Sequence, residues 1–500
     1  MKQQRHVVTT ILAVVAAVAL LFALLSIPTP EPAPPKGASG RPFAWKLDER
    51  WRHQEALFSA ARDAGCERLR DRIHKGFEQG RQVLDKVVRE PLKPDDPAFG
   101  QLEMNLFDLG SMVGACPDRL PEYIDLITTT RSRIKAQSRL WDVDSQDVRD
   151  RLYRLLYGGR AALEEVMLQA PVGSYPALIR GDNETSVTPS LRFREQTLHS
   201  GDILVSRGGA PTSAIIARGN DYPGNFSHVA LLHVDEKTGV PGIIEAHIER
   251  GVVVSTVEEY IKDVKLRVMV LRLRADLPQM KADPMLPHKA ATLAVNETRS
   301  RHIPYDFAMD FKEPSKYFCS EVASQAYSRV GVELWRVSTT MSSPGLVRWL
   351  GYFGVEHFDT QAPADLEYDP QLTVVAEWRD PETLWKDHID NAVTDAMLEG
   401  AEEGDRIGYP WYLLAPARLA KAYSALLNLF GRTGPIPEGM DAIAALRSES
   451  MSKTHEKIKA RVLAQAASFQ EKHGYKPPYW QLVRMAQQAR GETSGKKAER

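Results

Sequence analysis

The chain is poor in cysteine, with three in 500 residues, and carries almost no net charge: 64 lysines and arginines stand against 65 aspartates and glutamates, a formal −1. Three cysteines cannot build a disulfide scaffold, and an odd number leaves at least one thiol without an intramolecular partner. Balanced charge provides no global basic field to hold a nucleic-acid backbone, so that partner class is excluded. Metal-ligand spacing is missing as well. The thirteen histidines show no H-x-x-H pattern and no cysteine-rich run accompanies them, so no metal and no cofactor is expected. No internal repeat is present. At 43% hydrophobic and 26% charged the composition is that of a folded globular protein rather than a disordered or fibrous one, and the length allows two to four domains.

What is present begins with one long apolar run. Lys2 and Arg5 precede a stretch from Val7 to Ile27 that contains no charge. About 21 residues suffice, at 1.5 Å each, to cross a ~30 Å hydrocarbon core, and they exceed the roughly 7–15-residue core of a cleavable signal peptide. Residues 1–27 are therefore expected to form an uncleaved signal anchor. With the positive charges before the run, the chain is expected to be a single-pass inner-membrane protein whose bulk lies in the periplasm or otherwise outside the cytoplasm. No cysteine follows the run, which excludes a lipoprotein anchor. Residues 28–42, PTPEPAPPKGASGRP, read as an extended proline-rich linker; a scar left by cleavage is the other reading.

From 43 to 170 the apolar residues recur at helical spacing, as in Leu69, Ile73, Phe77, Leu84 and Val87, which predicts a helical domain of four or five helices. Cys66 and Cys116 both fall inside it. Their pairing in an oxidising compartment would close a loop of about 50 residues, worth ~4 kcal/mol in the chain-entropy model; two unlinked buried thiols are the alternative. Between 171 and 380 short β-branched runs (ILVS, HVALLHV, GIIEAHI, VVVST, VMVLRL) predict an antiparallel sheet, followed by helical pattern at 286–300 and 319–331, an α+β arrangement. Residues 381–490 return to helix, with Asp380 as N-cap and Pro381 at the first helical position. Within them 409–430 is apolar enough to suggest a second span, but Arg418, Lys421 and Pro416 in its middle favour an amphipathic or core helix. Residues 491–500 are a polar tail.

Cys319 is placed for chemistry. It precedes Val322, Ala326 and Val330 at helical spacing, so it opens a helix, where backbone N–H groups lower a thiol's pKa and can receive an oxyanion. His228 begins the strand HVALLHV. A hairpin centred between Glu236 and Lys237 sets Glu245 directly across from it, close enough to orient the imidazole as the third member of a triad. His247 shares the parity of Glu245 and is the reserve third member, whereas His233 points away from His228. Each piece alone has an ordinary structural role, a small core thiol or a surface imidazole. A glutamate in an apolar strand is harder to dismiss, because an unpaired buried carboxylate is costly.

Ser200-Gly201-Asp202-Ile203-Leu204, Phe226-Ser227-His228-Val229-Ala230, Ile244-Glu245-Ala246, Pro304-Tyr305-Asp306-Phe307 and Tyr317-Phe318-Cys319-Ser320-Glu321-Val322, in that order, resemble the permuted papain-like amidases of the YaeF/YiiX type, within the NlpC-type superfamily of cysteine peptidases. The resemblance covers about 198–380. It implies a permuted papain-like catalytic domain, with Cys319 as nucleophile, His228 as base and Glu245 as third residue. Tyr327, Tyr305 and Ser227 are carried over as substrate-side positions; for Tyr327 core packing is the competing role. Phe318 stands where the family pattern suggests a tyrosine. The resemblance implies hydrolysis of amide bonds, in peptidoglycan stem peptides or in N-acyl amino acids and lipid amides. A thioesterase or acyltransferase of the related permuted group is the enzymatic alternative, and a catalytically silent membrane-tethered scaffold the non-enzymatic one. The helical flanks lie outside the resemblance and are open to binding a protein partner.

Overall fold

The β-branched runs build the sheet that organises the molecule. The structure, a computed structural model, describes residues 2–31, 35–46 and 48–493; linker residues 32–34 and the polar tail from 494 lie outside the described residues. Its strands are β1 (Leu178–Arg180), β2 (Ser190–Phe193), β3 (Gln196–His199), β4 (Ile203–Gly208), β5 (His228–Val234), β6 (Pro241–His247), β7 (Gly251–Ser255), β8 (Lys265–Leu273), β9 (Thr339–Thr340), β10 (Asp359–Thr360) and β11 (Leu372–Arg379). Seven form one antiparallel sheet in the order β1-β11-β8-β4-β5-β6-β7.

Both faces of that sheet are covered, which is why HVALLHV is apolar almost throughout. Val205, Val229, Leu231 and Ile244 pack in one cluster with Ala290 and Ala291 of helix Leu286–Ser300 and Val322 and Ala326 of helix Cys319–Ser328. Leu204, Ala230, Leu232 and Ile243 pack on the other face with Leu198 and Tyr260. The fold is thus α+β, with helical regions on both sides of an antiparallel sheet domain.

The helical flanks share the interior of the sheet domain. One core cluster runs from Ala61 and Leu69 through Leu231 to Leu384. Buried charges tie the same parts together. Glu164, on helix Gly158–Gln169, accepts from Arg267 of β8 at 2.9 Å and from Arg379 of β11 at 3.0 Å. Asp387, on helix Pro381–Glu402, pairs with Arg207 and Arg267 at 3.2 and 2.6 Å. Between 48 and 169 five longer helices are present, the last running unbroken from Gln146 to Gln169 through a π-turn at Tyr153–Tyr157, and Gly65, at φ +74°, separates helix Asp48–Ala64 from the one that begins at Cys66. Cys66 and Cys116 form a disulfide with Cα atoms 5.2 Å apart, and Cys319 is the free cysteine.

One expectation is overturned. Among the described residues no helix is long and apolar enough to cross a membrane, which removes the signal anchor, the membrane partner and the inner-membrane, extracytoplasmic placement inferred from the N-terminal run. Helix Lys2–Leu25 carries that apolar run. Its end is held by protein: Arg418 donates to the carbonyls of Leu25 and Ile27, both at 2.9 Å. Arg418 belongs to helix Leu414–Asn428, whose Lys421 donates to Pro437 and Glu438 at 2.7 Å. The polar groups that argued against a second span are thus bonded to protein carbonyls.

Candidate active site

The β5–β6 turn is organised by Asp235. Its Oδ1 accepts from the backbone N–H of Lys237 and Thr238 at 3.1 and 2.8 Å, and Gly239, at φ +71°, donates to its carbonyl at 2.9 Å. This turn sets Val234 against Pro241 and Ala230 against Glu245. The hairpin is therefore centred one residue later than the sequence suggested, and every pair shifts by two. An even shift preserves the face. Glu245 stays on the His228 side and reaches it diagonally, with His228 Nε2 2.9 Å from Glu245 Oε2.

Continuing the same register brings His247, rather than Glu245, opposite His228. The two rings are 6.2 Å apart, and His247 Nε2 lies 3.0 Å from Glu245 Oε1. One carboxylate therefore holds two imidazoles. Burial pushes the Glu245 carboxyl up, but the hydrogen bonds from His228 and His247 outweigh it and hold the group well below the usual carboxylate range. Burial pulls His228 down from its ordinary value, Lys265 adds to this, and the bond to Glu245 opposes it in part. At neutral pH the arrangement is a carboxylate steering a neutral imidazole, with Nε2–H toward Glu245 and the Nδ1 lone pair remaining. His233 projects to the other face, stacked 5.4 Å from His288.

Cys319 is the first residue of helix Cys319–Ser328, behind an extended Phe318 whose N–H donates to Glu321 Oε2 at 2.9 Å. The thiol is 5% exposed and donates to the carbonyl of Ser227 at 3.8 Å, the residue before His228. The helix start was expected to lower its pKa. Burial instead pushes the thiol up to about 11, and the N–H groups of Val229, Ser320 and Cys319 recover only part of that. The resting sulfur is a neutral thiol. Burial, with Asp306 and Asp310 nearby, also pushes the Glu321 carboxyl up to about 8.

The remaining expected positions separate. Burial holds the Tyr305 phenol well above the usual tyrosine value, and its position close to Cys319 adds to that. Ser227 turns its hydroxyl to the Gly208 N–H at 3.3 Å, so its carbonyl is the group that faces the thiol. Tyr327 is fully buried and donates to the Gly201 carbonyl at 2.6 Å, a packing role. Sequence reasoning missed Tyr260 and Lys265. Lys265 acts on His228, Glu245 acts on Tyr260, and both side chains line a cavity of about 330 Å³ walled by Leu198, Leu204, Leu232 and Ile243. The alternation of β3 to β6 marked those leucines and isoleucine as one face, but nothing local marked the space beside them.

In chain order the antiparallel strands that carry His228 and Glu245 precede the helix that Cys319 opens. Residues 197–376 match the family model described as permuted papain-like amidase enzyme, YaeF/YiiX, C92 family, so the domain over those residues is of the cysteine peptidase and amidase class its motifs resemble. No curated protein matches the chain. Among solved structures it is similar to metalloprotein yiiX from Escherichia coli O157:H7, at 22% identity over 36% of this chain and 97% of that one, with a TM-score of 0.30.

Proposed function

We propose that the domain hydrolyses a carboxylic amide through Cys319, with His228 as base and Glu245 as its orienting partner. The observation that carries this is the 2.9 Å contact between His228 Nε2 and Glu245, with the Cys319 thiol held on the neighbouring Ser227 carbonyl. Because burial keeps the thiol protonated, the proton moves at the moment of attack. The thiol turns from the Ser227 carbonyl to His228 Nδ1, which takes its proton while sulfur bonds to the substrate carbonyl carbon. The backbone N–H at the start of the Cys319 helix receives the oxyanion. His228 then gives the proton to the departing amine, leaving a thioester that water, deprotonated by the same imidazole, hydrolyses.

Of the amide classes that the motifs imply, an N-acyl amino acid or lipid amide is the substrate class proposed. The experiment is incubation of the full chain, and of Cys319→Ala, with N-acyl amino acids of increasing chain length and with muropeptides. Release of free fatty acid by the native chain alone is the expected result. Cleavage of muropeptides only would reassign the substrate, and transfer of the acyl group to an added amine or alcohol in preference to water would make the protein an acyltransferase.

A further inference from the structure

Helices from both flanks leave a second, larger chamber of about 540 Å³, with none of Cys319, His228 and Glu245 in its wall. The room comes from small residues. Gly158, Ala161 and Ala162 lie on one face of helix Gly158–Gln169, and Gly110 and Ser111 face them from helix Pro97–Val113. The aromatic wall is Trp45, Trp51, Phe58, Phe107 and Trp480. At the open side the exposed Arg484 donates to Glu55 at 2.6 Å, joining helix Asp48–Ala64 to helix Tyr479–Thr493.

Most charges in this wall are already matched. Glu164 is held by Arg267 and Arg379, Arg218 by Asp395 at 2.8 Å, and Glu55 by Arg484. Glu165 is the exception. It accepts from the Tyr479 N–H at 3.1 Å and from Gln169 at 3.0 Å, but among the described residues its one ion-pair neighbour is His388, at 4.0 Å. Arg62 acts on it only from further off, stacked 4.5 Å over Tyr475. Three more wall residues are short of hydrogen-bond donors or partners. Asn225 Oδ1, Asn391 Oδ1 and His388 Nδ1 have none among the described residues, in side chains 5%, 3% and 6% exposed.

Aromatic faces, one carboxylate without a lysine or arginine, and spare acceptors together specify an occupant. It has an apolar body, a positive charge and N–H donors. We propose that this chamber is a binding site for a primary organic amine with an aromatic or branched aliphatic body, its ammonium on Glu165 and its body against Trp45, Trp51 and Trp480. Cation–π contact and the carboxylate act together there, whereas a neutral ligand leaves Glu165 uncompensated. The chamber is of ordinary ligand-pocket size.

The test is calorimetric titration of the full chain with phenethylamine and with its neutral isostere 2-phenylethanol. One saturable site is expected, with the amine bound about tenfold more tightly than the alcohol, and Glu165→Gln bringing the two together. Ala162→Leu, which fills the chamber, should weaken both ligands and leave the unfolding midpoint unchanged, so the test survives if Glu165→Gln fails to fold. Equal binding of amine and alcohol, an amine preference that persists in Glu165→Gln, or no saturable binding would each overturn the proposal. Cys319→Ala should bind the amine like the native chain, which separates this result from the fate of the hydrolase reading.

Discussion

His228 and Glu245 are not cross-strand partners, yet their side chains meet at 2.9 Å. The contact is diagonal, Glu245 stands opposite Ala230, and the carboxylate also takes His247. Two imidazoles on one ionised carboxylate fix the tautomer of His228 by geometry.

That arrangement sets the kinetics of the site. His228→Ala should lower kcat by ~10²–10⁴-fold, the usual worth of a positioned base. Glu245→Gln should also lower kcat, and it should move the acid limb of the pH–rate profile to lower pH, because the Glu245 bond is what raises His228 against the effect of burial. In the native chain that limb should lie below an ordinary histidine's value, with no alkaline rise from the thiol until pH approaches about 11. A pH profile of the acyl-amide reaction checks all of this.

Glu321 should cost stability at neutral pH. Its folded carboxyl stays protonated up to about 8, while the unfolded one ionises near 4.5, so the unfolded state loses its proton first as pH rises and stability falls across that window. Glu321→Gln, neutral at every pH and still able to accept from Phe318, should unfold at a higher temperature than the native chain at pH 7. The difference should vanish below about pH 4.5, as thermal melts at several pH values would show.

Reduction should weaken the helical flank and spare the chemistry. The Cys66–Cys116 bridge spans 50 residues of chain, so Cys66→Ser with Cys116→Ser should lose about 4 kcal/mol in the chain-entropy model. Denaturant melts of oxidised and reduced protein measure it. The rate of hydrolysis should stay the same, because neither cysteine is among the groups that bond Cys319, His228 or Glu245.

Glu164→Gln tests how far the flank and the sheet domain fold as a unit. It takes one carboxylate from Arg267, which keeps Asp387, and one from Arg379, which keeps Glu377, all of them buried, and breaking a buried pair costs about 3–5 kcal/mol. The expected melt is one cooperative transition at lower temperature. Two transitions, with only the first shifted, would show that the helices unfold separately.

How much of this was legible differs from residue to residue. The alternation of HVALLHV and GIIEAHI put His228, Glu245 and His247 on one face, and an error of one residue in the turn centre left that intact because it moved the pairing by two. The turn centre itself depended on Asp235 gathering the N–H groups of Lys237 and Thr238, which pattern alone does not rank above neighbouring turns. The apolar N-terminal run misled, since among the described residues no helix is long and apolar enough to cross a membrane.

By itself the sequence determined residue type and parity: a cysteine opening a helix, a histidine starting a strand, a glutamate on the same face, and the motifs that carry the family. Period 2 in strands and 3.6 in helices are local properties of the backbone, so a window of a few residues contains them. Only the tertiary structure decided protonation and partnership. The Cys319 thiol is raised by what is packed over it, Glu164 meets arginines 103 and 215 residues away, and the amine chamber is walled by helices from both ends of the chain. Desolvation and ion pairing depend on which distant segments arrive at a point in space, and that is settled when the chain folds.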